Sequence, residues 1–193
     1  DLSFDSQTPA LTHLDGFGHG THMASIIAGH DSIDTTVSGK CATCLNTSPY
    51  SDTTKFVGVA PEAKIISIKV GSTDGANDVT QIAAGIDWAV AHRNDTGLNI
   101  RVINLSYGTN STQPYQADPI AFAAENAWRH GIVVVAAAGN DGDTVTNLAD
   151  PAYDPAILAV GAVDPNGTLA PSDDFIPTWA NHGTAARPVD VVA

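Results

Sequence analysis

Short apolar runs alternate along the chain with longer amphipathic stretches, and this alternation limits the folds available to it. The run from Ile132 to Ala136 is apolar on both faces, which is typical of an inner strand of a parallel sheet. Ahead of it, residues 117–130 repeat apolar side chains at helical spacing, and Gly131 suits the position just after such a helix. The same reasoning predicts a helix over 79–90 and further strands over 64–70, 102–106, 157–163 and 189–193.

Strands that alternate with helices predict an α/β fold of three layers, in which a mostly parallel sheet carries helices on both faces. Such sheets bind ligands outside the carboxyl ends of their strands, so the residues that follow each strand are the candidates for function. Residues 30–54 are rich in Gly, Ser, Thr and Asp, and they predict a long surface loop.

Length and composition narrow the class of protein further. A chain of 193 residues fits one domain, and its 43% of hydrophobic residues is enough for a substantial core. The formal net charge of −13 argues against nucleic-acid binding, and no apolar run approaches the roughly 20 residues that span a bilayer. The chain begins without Met and ends inside a predicted strand, so we expect residues 1–193 to be an internal piece of a larger domain.

A histidine between glycines marks the start of a further predicted helix. Glycine on both sides of His19 removes side-chain bulk, so another chain could approach the imidazole closely. A histidine beside flexible turns can also be purely structural. A zinc pair with His22, one helical turn on, is a third interpretation, but neither a HExxH pattern nor a cysteine cluster accompanies it.

Two further candidates follow predicted strands. Small residues lead from the central strand to Asn140. The Asn140 amide can donate two hydrogen bonds, which suits it to stabilise a developing oxyanion. The alternative interpretation is a Gly-Asn turn that only ends the strand. The segment from Ser106 to Gly108 could pair its backbone with an extended peptide, or it could simply begin a turn.

In combination, these segments resemble the subtilisin-like serine proteases of the peptidase S8 type. The motifs occur in the order seen in that family, and the resemblance extends from about Gly16 to Ala193. It implies a secreted, extracellular serine endopeptidase that acts on protein or peptide substrates, needs no cofactor for its chemistry and could carry a propeptide. The motifs are His19-Gly20-Thr21-His22, Val59-Ala60-Pro61, Asn104-Leu105-Ser106-Tyr107-Gly108, Ala137-Ala138-Gly139-Asn140 and Ala159-Val160-Gly161-Ala162.

The resemblance also assigns roles to the matching residues. His19 would be the general base of a Ser-His-Asp triad, Asn140 the side-chain donor to the oxyanion, and His22 a structural neighbour. Ala149 would lie near the base of the primary specificity pocket, where a small side chain leaves room for a bulky apolar residue of the substrate. The implied cleft has one edge at Ser106, Tyr107 and Gly108, an opposing edge at Gly75 and Ala76, and a second pocket wall at Ala137, Ala138 and Gly139.

Two parts of the family's pattern have no match in the sequence. Neither Asp1 nor Asp5 lies in an Asp-Thr/Ser-Gly turn, and no Gly-Thr-Ser-Met motif follows residues 188–193, which resemble the segment ahead of the family's serine. We therefore expect the triad Asp upstream and the Ser downstream, and no activity from this chain alone. A non-catalytic peptide-binding relative is the alternative. A dinucleotide-binding domain is disfavoured because the glycines at 16–20 lack the G-x-G-x-x-G spacing.

Cys41 and Cys44 form a C-x-x-C pair inside the long loop. The resemblance to exported proteins favours a disulfide, since a zinc site and a redox motif both lack their usual context here. Many relatives bind structural calcium, but the acidic stretches have no recognisable ligand spacing, and a solvated surface is the preferred interpretation. These stretches are 30–34, 141–143 and 173–174.

Overall fold

A four-stranded parallel sheet lies at the centre of the structure. The structure, a computed structural model, describes residues 1–29, 57–142 and 144–193. The strands are β1 (Val102–Leu105), β2 (Val133–Ala137), β3 (Leu158–Gly161) and β4 (Val191–Val192), side by side in chain order. Neighbouring strands are parallel, with Leu105 of β1 opposite Ala136 of β2. The predicted parallel sheet is therefore confirmed, and the carboxyl ends of its strands meet at one edge.

Aspartate and glycine set the limits of the helices that flank the sheet. At the start of the helix Pro119–Arg129, Asp118 accepts hydrogen bonds from the backbone N–H groups of Ile120 and Ala121. Gly131 follows the end of this helix with a φ of 81°, as predicted for its C′ position.

No helix in the described ranges is both long and apolar enough to cross a membrane. The described residues contain α1 (His19–Ala28), α2 (Val79–His92) and α3 (Pro119–Arg129), with 3-10 turns at Phe4–Gln7, Tyr115–Ala117 and Pro171–Asp173.

Residues 64–70 do not form the strand that their apolar pattern predicts. Ile66 and Ile68 pack against the core while Ile65 is exposed, so the side chains alternate as expected. A strand also needs a hydrogen-bonded neighbour. In the described part of the chain, one backbone hydrogen bond joins this segment to another, from Leu2 N to Lys69 O (2.8 Å). The prediction is wrong because alternation reports burial and contains no information about a partner strand.

Helices α2 and α3 pack against each other, and α3 packs on β2. Strand β2 shows the result: Val134 and Ala136 are fully buried, whereas Val133 on the opposite face is 41% exposed. Helix α1 has no buried residue. The core is therefore concentrated between β2 and the α2–α3 layer. Its isoleucine and leucine side chains are Ile82, Ile86, Ile100, Ile120, Ile132, Leu148 and Ile157.

A buried pair of carboxyl groups joins the start of α3 to the turn ahead of β3. Asp150 is 2% exposed and Asp118 is 4% exposed. The backbones of Thr109 and Asp150 exchange two hydrogen bonds, of 3.1 and 2.9 Å, which hold the segment after β1 against this turn. Burial first, and then the negative charge of Asp118, raise the pKa of Asp150 to about 7, and Asp154 adds to the effect. When protonated, Asp150 can donate a hydrogen bond to the Asp118 carboxyl group.

Removing the side chain of Ile120 should destabilise the fold strongly. Ile120 lies in α3 and its side chain is fully buried, so Ile120→Ala loses apolar contacts and leaves a cavity. We expect the free energy of unfolding to fall by about 2–5 kcal/mol in urea titrations. Phe122 on the same helix is 64% exposed, and Phe122→Ala should cost less than about 1 kcal/mol. Equal losses for the two variants would contradict this placement of the core.

The stability of Asp150→Asn relative to the parent protein should be greater near pH 8 than near pH 4. The pKa of Asp150 in the folded state lies above its ordinary value of 3.8, so its contribution to stability is fully present below about pH 4 and is lost as the pH rises toward 7. Asn cannot ionise and can still donate a hydrogen bond to Asp118. We expect the difference in free energy of unfolding between variant and parent to grow by about 4 kcal/mol across this range, since folding raises the pKa of Asp150 from 3.8 to about 7.

Asp87→Asn is the matched control for this measurement, because Asp87 is exposed on α2 and its replacement removes the same formal charge. Urea titrations of both variants at several pH values separate the two effects. If both variants gain stability equally with pH, general charge repulsion rather than the buried pair is responsible.

Candidate active site

The helix that carries His19 begins at the residue the glycine pattern indicates. Gly18 has a left-handed φ of 88°, and α1 starts with His19 itself, which is exposed. The carboxylate of Asp15 accepts hydrogen bonds from Gly18 N and from the backbone N and hydroxyl of Thr21, at 2.7–2.8 Å. These bonds, that of the Thr21 hydroxyl first, hold the pKa of Asp15 below its ordinary value. Asp15 therefore positions the start of α1. The motifs did not identify it, although an Asp just ahead of a predicted helix is a local signal for a cap.

The predicted cleft edge at Gly75 and Ala76 lies against the loop that leads to His19. A Cβ atom on Gly75 would come within 2.8 Å of Cδ2 of Phe17, and the φ of Gly75 is 88°. Both observations require glycine at this position. The turn is closed by a hydrogen bond from Ser72 N to Ala76 O (2.7 Å).

Asp5 holds the same turn from its other side. Its Oδ2 accepts hydrogen bonds from the N and Oγ1 atoms of Thr73, at 2.7 and 2.6 Å, and from Nζ of Lys69 at 2.8 Å. The bond from the Lys69 ammonium group is the largest of the causes that lower the pKa of Asp5. Lys69 also donates a hydrogen bond to Leu11 O at 2.7 Å. Polar contacts thus connect the amino-terminal segment to this cleft edge.

The remaining cleft residues come together at the carboxyl ends of β1 and β2. Ser106, Tyr107 and Gly108 follow β1, while Ala137, Ala138 and Gly139 end and follow β2. A Cβ atom on Gly108 would lie 2.8 Å from Cβ of Ala149, and one on Gly139 would lie 3.3 Å from the same atom. Ala149 therefore lies between the two predicted pocket walls.

Asn140 lies just beyond β2, at the edge where the strands end, and it is exposed. The preceding Gly139 has a φ of 116°, which residues with a side chain rarely adopt. The predicted residues thus form two groups, one around His19 and Gly75 and one around Asn140 and Gly108. Within the described ranges no hydrogen bond joins the two groups. The catalytic roles of His19 and Asn140 and the substrate-binding roles of the cleft residues stay predictions.

A polar cavity of about 300 Å³ opens beside the Ser106–Gly108 edge. Thr109, the next residue along the chain, lies in its wall together with the acid pair Asp118 and Asp150 and with Val79 at the start of α2. Asp118 also accepts a hydrogen bond from the hydroxyl of Ser111 at 2.9 Å. The cavity is therefore an acidic extension of the predicted cleft edge.

The candidate metal and disulfide positions fall partly outside the described residues. Cys41, Cys44, the acidic stretch 30–34 and Asp143 all lie outside them. Within the ranges that the structure describes, no group of three or more His, Cys, Asp or Glu side chains is placed to hold a metal ion. The disulfide and structural calcium stay predictions.

Comparison of the sequence with known proteins identifies its relatives. The model of the Subtilase family matches residues 3–193. Serine protease AprX of Bacillus subtilis (strain 168) is 31% identical over 172 residues, which cover 88% of this chain and 35% of AprX. Subtilisin DY of Bacillus licheniformis is 35% identical over 160 residues, which cover 82% of this chain and 47% of subtilisin DY.

Solved structures lead to the same family. Sphericase superposes with a TM-score of 0.63 at 25% sequence identity, over 74% of this chain and 47% of sphericase. The S41 psychrophilic protease gives a TM-score of 0.61 at 26% identity, over 75% of this chain and 47% of that protein. With the parallel sheet and its helices, these neighbours confirm the predicted three-layer α/β fold class. The chain spans less than half the length of each of these proteins: 35% of AprX and 47% of subtilisin DY, sphericase and the S41 protease. The match over residues 3–193 and the similarity to these proteases show that the chain belongs to the subtilase family.

Proposed function

We propose that this chain supplies the general base and an oxyanion donor to a serine endopeptidase that cleaves peptide bonds through an acyl-enzyme. Membership of the subtilase family supports a serine-type peptidase. The observation in this chain that carries the proposal is the position of Asn140. Its side chain is exposed directly beyond an inner parallel strand, next to the place where Gly108 and Gly139 approach Ala149.

In the proposed reaction, His19 takes the proton of a serine hydroxyl while the serine oxygen attacks the substrate carbonyl carbon. The carbonyl oxygen gains negative charge, and Asn140 donates a hydrogen bond to it through Nδ2. The C–N bond then breaks, and His19 gives its proton to the departing amine. Water hydrolyses the acyl-enzyme by the same route, with His19 taking a proton from water and returning one to the serine oxygen.

We expect an extended peptide to bind as an added strand along Ser106–Gly108, with Gly75 and Ala76 on its other side. The small side chain of Ala149 leaves room for a bulky apolar residue of the substrate. By analogy with exported subtilases, we propose that the protein is extracellular and has a propeptide as a partner.

The triad Asp and Ser would come from segments outside the 193 residues, so we propose that this polypeptide alone does not cleave peptides. A non-catalytic peptide-binding relative is the alternative function. The two differ in one respect that can be measured: only the peptidase forms a covalent adduct that depends on His19.

In a protein that contains this chain together with the proposed triad Asp and Ser, His19→Ala should abolish cleavage of a fluorogenic peptide. Removal of the general base costs about 10⁶-fold in kcat in subtilisin, and we expect a loss of that order here. Asn140→Ala should lower kcat by about 10²–10³-fold, the range known for loss of this donor in subtilisin. Labelling by a fluorophosphonate should disappear in His19→Ala and should be absent from the 193-residue chain.

His13→Ala is the control, because His13 is exposed and lies outside the predicted site. It should retain full activity. Peptide binding without turnover or labelling in the parent protein would favour the non-catalytic alternative. Turnover by the 193-residue chain that His19→Ala abolishes would refute the proposed inactivity of the chain alone.

A further inference from the structure

Asn181 makes three hydrogen bonds that surround the loop containing Asn140. Its backbone N–H donates to Gly139 O at 3.2 Å, and its side-chain Oδ1 accepts from Asp141 N at 2.9 Å. Its Nδ2 donates to Asn147 O at 3.1 Å. Asn181 thus bonds to the residue on each side of Asn140.

The side chain of Asn181 is held rigidly in this place. Asn181 is 1% exposed, and both ends of its amide have partners. A Cβ atom on Gly139 would overlap the Asn181 amide, so the amide lies directly against the Gly139 backbone. A buried amide with both ends paired has one orientation, because rotating it would leave a donor and an acceptor without partners.

The loop that Asn181 contacts has little conformational restraint of its own. Gly139 and Gly142 both have positive φ values, of 116° and 99°, and two glycines so close together give the backbone many accessible conformations. A further bond from Gly142 N to Trp179 O, at 2.9 Å, attaches the loop to the same distant segment. Residues 179–181 therefore restrain the backbone conformation around Asn140 from outside the loop.

We propose that Asn181 is the positioning residue for the Asn140 amide, and that it acts on catalysis only through Asn140. This inference rests on the proposed peptidase function. A donor to an oxyanion works only when its N–H group is held in advance where the negative charge develops. Asn181 supplies that restraint from the interior, without contact with the substrate.

In the full-length protease, Asn181→Ala should lower kcat for a peptide substrate by about 10–100-fold, with little change in KM. The affinity of a peptidyl aldehyde, which forms the tetrahedral adduct, should fall in parallel, whereas that of an unreactive peptide should not. Asn181→Asp keeps the Oδ1 acceptor for Asp141 N but loses the Nδ2 donor to Asn147 O, and it should lose less activity, about three- to tenfold. If Asn181→Ala does not fold, Asn181→Asp carries the test.

A double-mutant cycle separates positioning from any other role. Adding Asn181→Ala to Asn140→Ala should cost no further activity, because the group that Asn181 positions is already gone. Ile120→Ala is the control for general destabilisation, and assayed well below its melting temperature it should keep the parent kcat. A full additional loss in the Asn140→Ala background, or a rise in KM with unchanged kcat, would overturn the inference.

The same measurements distinguish this inference from the proposed function. If His19→Ala and Asn140→Ala lose activity as expected while Asn181→Ala and Asn181→Asp do not, only the positioning role is wrong. If His19→Ala retains activity, the peptidase proposal itself fails.

Discussion

Parallel pairing of β2 with strands on both sides is the constraint on which the predicted cleft depends. Val134 and Ala136 are buried beneath the helical layer, so a shift of one residue in β2 would turn these side chains away from the core. The register that burial selects places Leu105 beside Ala136. The segments that follow β1 and β2 are therefore neighbours before any residue of the site makes a contact of its own.

Small residues then determine how closely those segments approach. Gly108 and Gly139 both come near the Cβ of Ala149, and Gly139 has the added requirement of a positive φ. A larger residue at any of these positions would separate the walls and move the loop that carries Asn140. The geometry of this part of the candidate site is thus set by backbone packing, and the core fixes the place from which the Asn140 side chain projects.

Local sequence signals predicted the three helices and four of the five expected strands, but they did not show which segments would find a partner elsewhere in the chain. The sequence predicts helix α3 over 117–130 and the structure has it at Pro119–Arg129, because the apolar spacing lies within the helix and Gly131 follows it closely. The segment 64–70 forms no strand, because a strand is defined by a neighbour elsewhere in the chain. Asn181 is invisible to motif reasoning for the same reason: its partners lie about 40 residues away. Asp15 is different, since its partners are local and a capping pattern could have identified it.

The two halves of the candidate site are held by different kinds of interaction. The half around Asn140 is continuous with the buried core through β2 and the fully buried Asn181. The half around His19 lies on α1, which buries no residue, and it contacts a turn that Asp5 and Lys69 hold by charged hydrogen bonds. Hydrogen bonds of this kind fix the positions of a few polar groups, whereas burial of apolar surface stabilises a whole element. Local opening should therefore begin on the His19 side, and the Asn140 side should keep its geometry until the core itself unfolds.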